Sequence, residues 1–294
     1  MQHRIFQVQS PIHPELANIL RTIQTASRDL NIDLFLIGAT ARDLWLVYIF
    51  GLSRSRLTRD VDFAVALPTW ESFFELKNSL ISNYGFTADS NPRRHHRLSL
   101  QAQIYNTIDI IPFGELQSEG NQLAWPPDFE TVMNVTGYSE ANDSAIQIEW
   151  ELGSTVKVVS LPSLAGLKLL AWQDRRGNNS RESKDALDLY NILLSYSATS
   201  EMEDRIYDNE IETLVRLDYD MQLAGAWLLG KDLASIMSHQ WLEQVQAILD
   251  NPNTLQYLVA DMGLGQILLP GESEKILSLV VQFNNGINSA TNSY

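Results

Sequence analysis

The chain has no cysteine in its 294 residues. Disulfides and thiolate metal sites are therefore excluded, which fits a reducing compartment. Basic residues are scarce beside acidic ones, 21 Lys and Arg against 36 Asp and Glu, for a net charge of −15. That balance argues against a protein that coats nucleic acid through a basic surface. No apolar run reaches the length of a membrane span, and the N-terminal stretch MQHRIFQVQSPIHPEL lacks an uninterrupted apolar segment of the signal-peptide kind. A cytoplasmic protein without membrane partners is expected. Low-complexity segments are missing too, so nothing is set aside as linker or tail except the polar final stretch NNGINSATNSY, which is expected to fray.

What is present is an ordinary globular composition, 45% hydrophobic and 19% charged, long enough for one large domain or two. Charge is spread unevenly. Residues 1–185 carry 17 basic and 21 acidic residues, whereas residues 186–294 carry 4 and 15. The basic residues gather in three places: Arg54, Arg56 and Arg59; Arg93, Arg94, His95, His96 and Arg97; Arg175, Arg176, Arg181 and Lys184. A basic cleft facing an acidic body follows from that distribution.

The stretch Leu36 to Val65 carries most of the chemistry. A strand-like run, Asp33 to Ile37, ends at Gly38-Ala39-Thr40, and a helix is expected from Ala41 to about Phe50. Bare backbone N–H groups at such a helix start, with the Thr40 hydroxyl beside them, form a seat for phosphate. Twenty residues on, Asp60 and Asp62 alternate with Val61 and Phe63, the period of a strand with one buried face, so both acids project from one side. Two neighbouring carboxylates repel unless a cation lies between them, and Mg²⁺ is usually held by one or two carboxylates plus substrate phosphates. Together the two halves describe a site for a metal–nucleotide complex.

Elsewhere the periodicities predict helices at Glu15–Leu30 and Trp70–Tyr84 and a strand from Leu98 to Ile104. A turn at Tyr105-Asn106 would return that strand along Thr107–Phe113, which contains Asp109. Gly114–Asp128, with Trp125-Pro126-Pro127, reads as loop, and a hairpin is expected around Gly153-Ser154. Ser160 to Ser163 starts a helix whose inward stripe, Leu164, Leu167 and Ala171, includes Lys168, with Arg175 further along the same face. A lysine there needs a carboxylate or a phosphate. Asp185 and Asp188, at the start of the next helix, are the carboxylate candidates. The loop from Gln173 to Arg181 is basic enough to admit an RNA end, and from Glu201 onward the chain reads as helices. His95 and His96 are not read as a metal pair, because adjacent strand residues face opposite ways. His96 and Arg97 are expected either at phosphate or base, or in a surface basic patch.

The ordered set of a Gly-small-Thr turn, Asp-x-Asp on a strand and a further acid on a later strand resembles the nucleotidyltransferase superfamily that includes polymerase beta. The addition of Lys168 in LAGLKLLAWQDR and the run Lys184 to Tyr190 makes residues 30–196 similar to AbiEii/AbiGii-type nucleotidyltransferase toxins. The resemblance implies an α/β (α+β) fold with a mixed sheet flanked by helices over residues 1–159, and a helical part over 160–294. It implies Asp60, Asp62 and Asp109 as catalytic residues and Mg²⁺ ligands, and phosphate contacts from Gly38, Ala39, Thr40, Lys168 and Arg175. Arg42 joins them because GATARD resembles the Gly-Gly-x-x-Arg-Asp turn of CCA-adding enzymes. The alternative for Asp109 is a salt bridge to a nearby arginine, and for Lys168 a salt bridge to Asp185 or Asp188.

The implied activity is Mg²⁺-dependent transfer of a nucleotide from a nucleoside triphosphate to RNA, tRNA being one candidate, by a toxin countered by an antitoxin. Two rivals stand beside it. One is a nucleotidyltransferase acting on a small hydroxylated molecule such as an aminoglycoside; the other is an inactive relative that binds nucleotide or protein.

Overall fold

Period-two runs form strands and 3.6-period runs form helices in the computed structural model, which describes residues 5–54, 56–91, 94, 96–177, 184–264 and 271–291. Arg93, His95 and Arg181, with the rest of the expected basic loop at 178–180, lie outside the described residues. The chain divides into two compact units, Met1–Ser160 and Leu161–Tyr294.

The first unit is built on an eight-stranded mixed sheet. Its strands are β1 (Ile5–Gln7), β2 (Asp33–Ile37), β3 (Asp60–Ala66), β4 (Thr87–Ala88), β5 (Arg97–Ser99), β6 (Thr107–Phe113), β9 (Ile146–Glu151) and β10 (Ser154–Val158). They lie in the order β1-β9-β10-β2-β3-β6-β5-β4. A separate pair, β7 (Gln122–Ala124) and β8 (Val132–Asn134), lies within and after the stretch expected to be loop. Helices α1 (Pro14–Asp29), α2 (Gly38–Asp43), α3 (Trp70–Tyr84) and α4 (Tyr138–Asp143) complete the unit, α2 running on as a π-helical segment at Leu44–Ile49. Local signals account for the boundaries. Pro14 starts α1; Thr69 caps α3 by accepting from the Ser72 N–H, and Gly85 ends it in the left-handed conformation, φ 74°. The central strand β3 buries Val61, Phe63, Ala64 and Val65, with Leu16, Ile19, Leu20 and Ile23 of α1 in the same core.

Strand β5 stops at Ser99 rather than continuing to Ile104. The reason lies on α1: the Glu15 carboxylate accepts the backbone N–H groups of Gln103, Ile104 and Tyr105 at 2.9, 2.9 and 3.1 Å. Those donors are spent on a side chain and are lost to any ladder. The three bonds hold the Glu15 carboxyl below its usual value. A carboxyl whose folded value is depressed stabilises the fold above its unfolded value, about 4.5, and that contribution disappears as pH falls through the lower folded value. Glu15→Ala should therefore strip hydrogen-exchange protection from these three amides at pH 7. In the wild type their protection, corrected for intrinsic rates, should fall only below about pH 4.5. Unchanged protection in the variant would remove the anchoring role.

The second unit is helical: α5 (Leu161–Gly177), α6 (Lys184–Ser195), α7 (Ser200–Asn209), α8 (Ile211–Arg216), α9 (Met221–Ala234), α10 (His239–Leu249), α11 (Pro252–Met262) and α12 (Glu272–Thr291). Two sequence expectations are corrected here. The segment from Gln173 to Gly177 is the last turn of α5, not loop, and the polar C-terminal stretch does not fray before Thr291. Polarity misleads at that end because glycine supplies the packing. A Cβ on Gly286 would lie 1.9 Å from the Trp227 carbonyl oxygen, and one on Gly230 would lie 2.0 Å from that of Phe283. Helices α9 and α12 thus meet backbone to backbone, with Phe283 and Ile287 fully buried along the contact. Gly286→Val should cost about 3 kcal/mol or more of stability, read as a lowered melting temperature, since neither backbone can yield. Among the described residues no helix is long and apolar enough to cross a membrane.

Candidate active site

The register of the sheet places four of the sequence-derived features side by side. Ile37, the residue before the glycine turn, pairs with Asp62; Asp62 pairs with Asp109 across the parallel β3–β6 ladder; Asp109 pairs with Arg97 across the antiparallel β5–β6 ladder. Paired residues share a sheet face, and Asp60 lies two residues before Asp62 on that same face. One rung therefore runs from the glycine turn through two carboxylates to an arginine.

The turn is shaped around Asp62. Gly38 has φ +74°, and a Cβ there would sit 2.0 Å from Asp62 Oδ2 and 2.7 Å from its carboxyl carbon. Only glycine both adopts this conformation and leaves space for the carboxylate. Thr40 is buried, and its hydroxyl donates to the Asp60 carbonyl at 2.9 Å, tying the turn to the start of β3; the Thr58 hydroxyl donates to the same oxygen at 3.3 Å. Ala39 is buried between them.

Arg42 is turned inward. It is 1% exposed, and its Nε and Nη2 donate to Asp43 Oδ1 at 3.0 and 2.5 Å. Arg54 Nε approaches the other oxygen of Asp43 at 3.0 Å, and its guanidinium lies over the Tyr48 ring. Arg42, for which the resemblance implies a phosphate contact, forms in this structure a buried pair with Asp43 that fixes the helix behind the turn.

The three acids do not assemble into a metal cage. Among the described residues no group of three or more His, Asp or Glu side chains is arranged to hold a metal ion. Arg97 is the physical reason. Its Nε donates to Asp109 Oδ1 at 2.8 Å and its Nη2 to Oδ2 at 2.6 Å, a bidentate pair that occupies both oxygens of a carboxylate only 8% exposed. The same Nη2 lies 4.0 Å from Asp60 Oδ2. These hydrogen bonds drive the Arg97 pKa still higher, against the opposing effect of burial. Asp109 is thus salt-bridged in this structure, as its alternative reading allows. Asp60 and Asp62 are left as a half-buried pair beside the glycine turn, and two carboxylates with substrate phosphates are the usual holding set for Mg²⁺.

His96 faces away from this cluster, with its ring 5.5 Å from that of the buried Trp125. Burial pushes its imidazole below the usual value, Asp109 pulling the other way, so at neutral pH it carries no charge for a phosphate. Arg94 and Arg59 are exposed.

Lys168 and Arg175 belong to the second unit. Lys168 Nζ is 2.8 Å from Asp185 Oδ1 and 2.8 Å from Asp188 Oδ2, with all three residues buried, and Arg175 Nη1 bonds Asp185 Oδ2. Lys168 too is salt-bridged here: the acids one turn apart on α6 supply the partners that a buried ammonium demands. Sequence reasoning allowed a salt bridge from Asp109 to a nearby arginine without naming Arg97, although a hairpin joining the two strands places them opposite one another.

Comparison with known proteins follows the geometry. No match is found among curated protein sequences. The antibiotic-resistance factor ANT(2'')-Ia is 15% identical, over 70% of this chain and 97% of its own, with a TM-score of 0.38. A protein of H. pylori assigned as a nucleotidyltransferase is 14% identical, over 96% of this chain and 99% of its own, with a TM-score of 0.40. The Thermotoga maritima CCA-adding enzyme, solved with tRNA, is 11% identical over 96% and 83%, with a TM-score of 0.25. Likenesses this distant carry no conclusion about substrate. The family match does carry one about the reaction: the model of the nucleotidyl transferase AbiEii toxin of type IV toxin–antitoxin systems fits residues 21–254, well over half of the chain. With its Asp-x-Asp strand set against a glycine turn, this chain is a nucleotidyltransferase that belongs to the AbiEii toxin family.

Proposed function

We propose that the chain transfers a nucleoside monophosphate from a nucleoside triphosphate to a hydroxyl of RNA, with Mg²⁺ as cofactor and Asp60 and Asp62 as the carboxylates that hold it. The observation carrying this reading is the packing of Asp62 against Gly38, which puts a carboxylate and the bare backbone of a helix start at one spot. Mg²⁺ bound there would supply charge neutralisation for the α-phosphate and the leaving pyrophosphate. The backbone of Gly38, Ala39 and Thr40 receives the triphosphate, and the buried Arg42–Asp43 pair keeps that turn in position. In the transfer itself the acceptor hydroxyl oxygen bonds to the α-phosphorus, the bond from that phosphorus to the β-phosphate oxygen breaks and pyrophosphate departs. The hydroxyl proton passes to a carboxylate of the site.

RNA is the acceptor favoured by the exposed arginines close in sequence to the site, Arg59 next to Asp60 and Arg94 three residues before Arg97. One observation favours a second class: residues 186–294 hold 15 acids against 4 bases, which suits a small cationic hydroxylated molecule. In the toxin reading the partner is a cognate antitoxin, and the catalytic unit is the first, Met1–Ser160.

The test is incubation of the protein with Mg²⁺, each labelled nucleoside triphosphate in turn, and total bacterial RNA, with Asp62→Ala alongside. Label in a discrete RNA band with the wild type only is the expected result. Label in an aminoglycoside added in place of RNA would move the acceptor to the second class. Equal labelling by the variant would overturn the assignment of the site.

A further inference from the structure

Arg97, Asp109 and Asp62 occupy one rung of the sheet, with Asp60 on the same face. The Arg97 guanidinium holds both oxygens of Asp109 and lies 4.0 Å from Asp60 Oδ2. Removing the guanidinium would release Asp109 to join Asp60 and Asp62. A guanidinium does not lose its proton in a protein, so its charge leaves the face only if the side chain moves. Arg97 can move. Its side chain is 25% exposed, while its strand is held independently by the Ser99↔Thr107 pairing and by the Ile110 N–H donating to the His96 carbonyl at 2.9 Å. The bidentate fork that grips Asp109 fits phosphate oxygens equally well.

We propose that Arg97 is a positioning residue that serves as the internal counter-ion of this site. It keeps Asp109 out of the metal set in the free protein and exchanges that carboxylate for the triphosphate of the incoming nucleotide. Divalent metal therefore binds tightly only together with nucleotide. This inference rests on the nucleotidyltransferase site proposed above, and it restores Asp109 to the chemistry at one stage only, once Arg97 has turned to phosphate.

The experiment measures Mn²⁺ binding to the full chain, first with Mn²⁺ alone and then with a non-hydrolysable triphosphate analogue. Wild type should bind Mn²⁺ weakly alone and at least tenfold more tightly with the analogue. Arg97→Gln should bind Mn²⁺ alone about tenfold more tightly than wild type and gain little from the analogue, because Asp109 is then released to join the set. Arg97→Gln with Asp109→Asn restores the two-carboxylate set, so the gain should disappear. A purely structural ion pair predicts no tightening in Arg97→Gln, and that outcome with metal-binding wild type overturns the inference alone. Should Arg97→Gln fail to fold, Arg97→Lys keeps the charge without the fork and should tighten Mn²⁺ binding by a smaller factor; unchanged binding overturns the inference. Wild type and Asp62→Ala alike binding neither Mn²⁺ nor the Mn²⁺–analogue complex would instead overturn the proposed site, and the inference with it.

Discussion

Asp62→Asn is expected to lower nucleotide transfer on the order of a thousandfold, about 4 kcal/mol of barrier, while leaving the melting temperature unchanged or slightly raised. Asp62 lies against Gly38 on one side and beside Asp109 in register on the other. Asp109 already has Arg97 as its counter-ion, so in the protein without metal an amide of the same shape changes stability little. With metal and triphosphate the Asp62 charge is what the site requires. A residue that folding does not need and transfer does carries the signature of function, and a structural residue would show the reverse. Circular dichroism melts and initial transfer rates on the same preparation separate the cases. Full activity in Asp60→Ala/Asp62→Ala would refute the mechanism.

Much of this geometry is legible before folding, and the reason is local. Asp60 and Asp62 announce themselves because period two in DVDFAVA can only be satisfied with both acids on one face, and Gly38 because a strand run stops there and a helix run begins. What is not legible depends on partners distant in sequence. Arg97 reads as one member of a basic cluster until β5 is laid against β6; only the register shows that its charge is already spent on Asp109. The shortened β5 depends on Glu15, 88 residues from the first amide it accepts. The C-terminal helix reads as polar because its packing rests on Gly286, a residue that contributes nothing to hydrophobic periodicity yet permits backbone contact with α9. Arg42 is a different case: GATARD resembles a nucleotide-binding turn, and in the folded chain its arginine is paired with the aspartate next to it.

Lys168→Met is the second large effect, and it is expected in stability rather than in nucleotide affinity. Asp188 is 0% exposed and Asp185 2% exposed, and both carboxylates hold the Lys168 ammonium at 2.8 Å. Arg175 also bonds Asp185, so that carboxylate keeps a cation when Lys168 is lost. Breaking a buried ion pair from one side costs about 3–5 kcal/mol, a fall of roughly 10–20 °C in melting temperature for a unit of this size. Replacing charged groups together is far cheaper, so Lys168→Met with Asp188→Leu should recover most of the loss. That double variant then decides the role that the family resemblance gives this lysine. If the ammonium serves only the α5–α6 core, the stabilised double variant binds Mg²⁺–triphosphate as the wild type does. If the ammonium also reaches the triphosphate, stability returns while the dissociation constant stays at least tenfold weaker. The second outcome would mean that nucleotide must draw Lys168 from its aspartates, the same exchange of carboxylate for phosphate proposed for Arg97, occurring in the other unit of the chain.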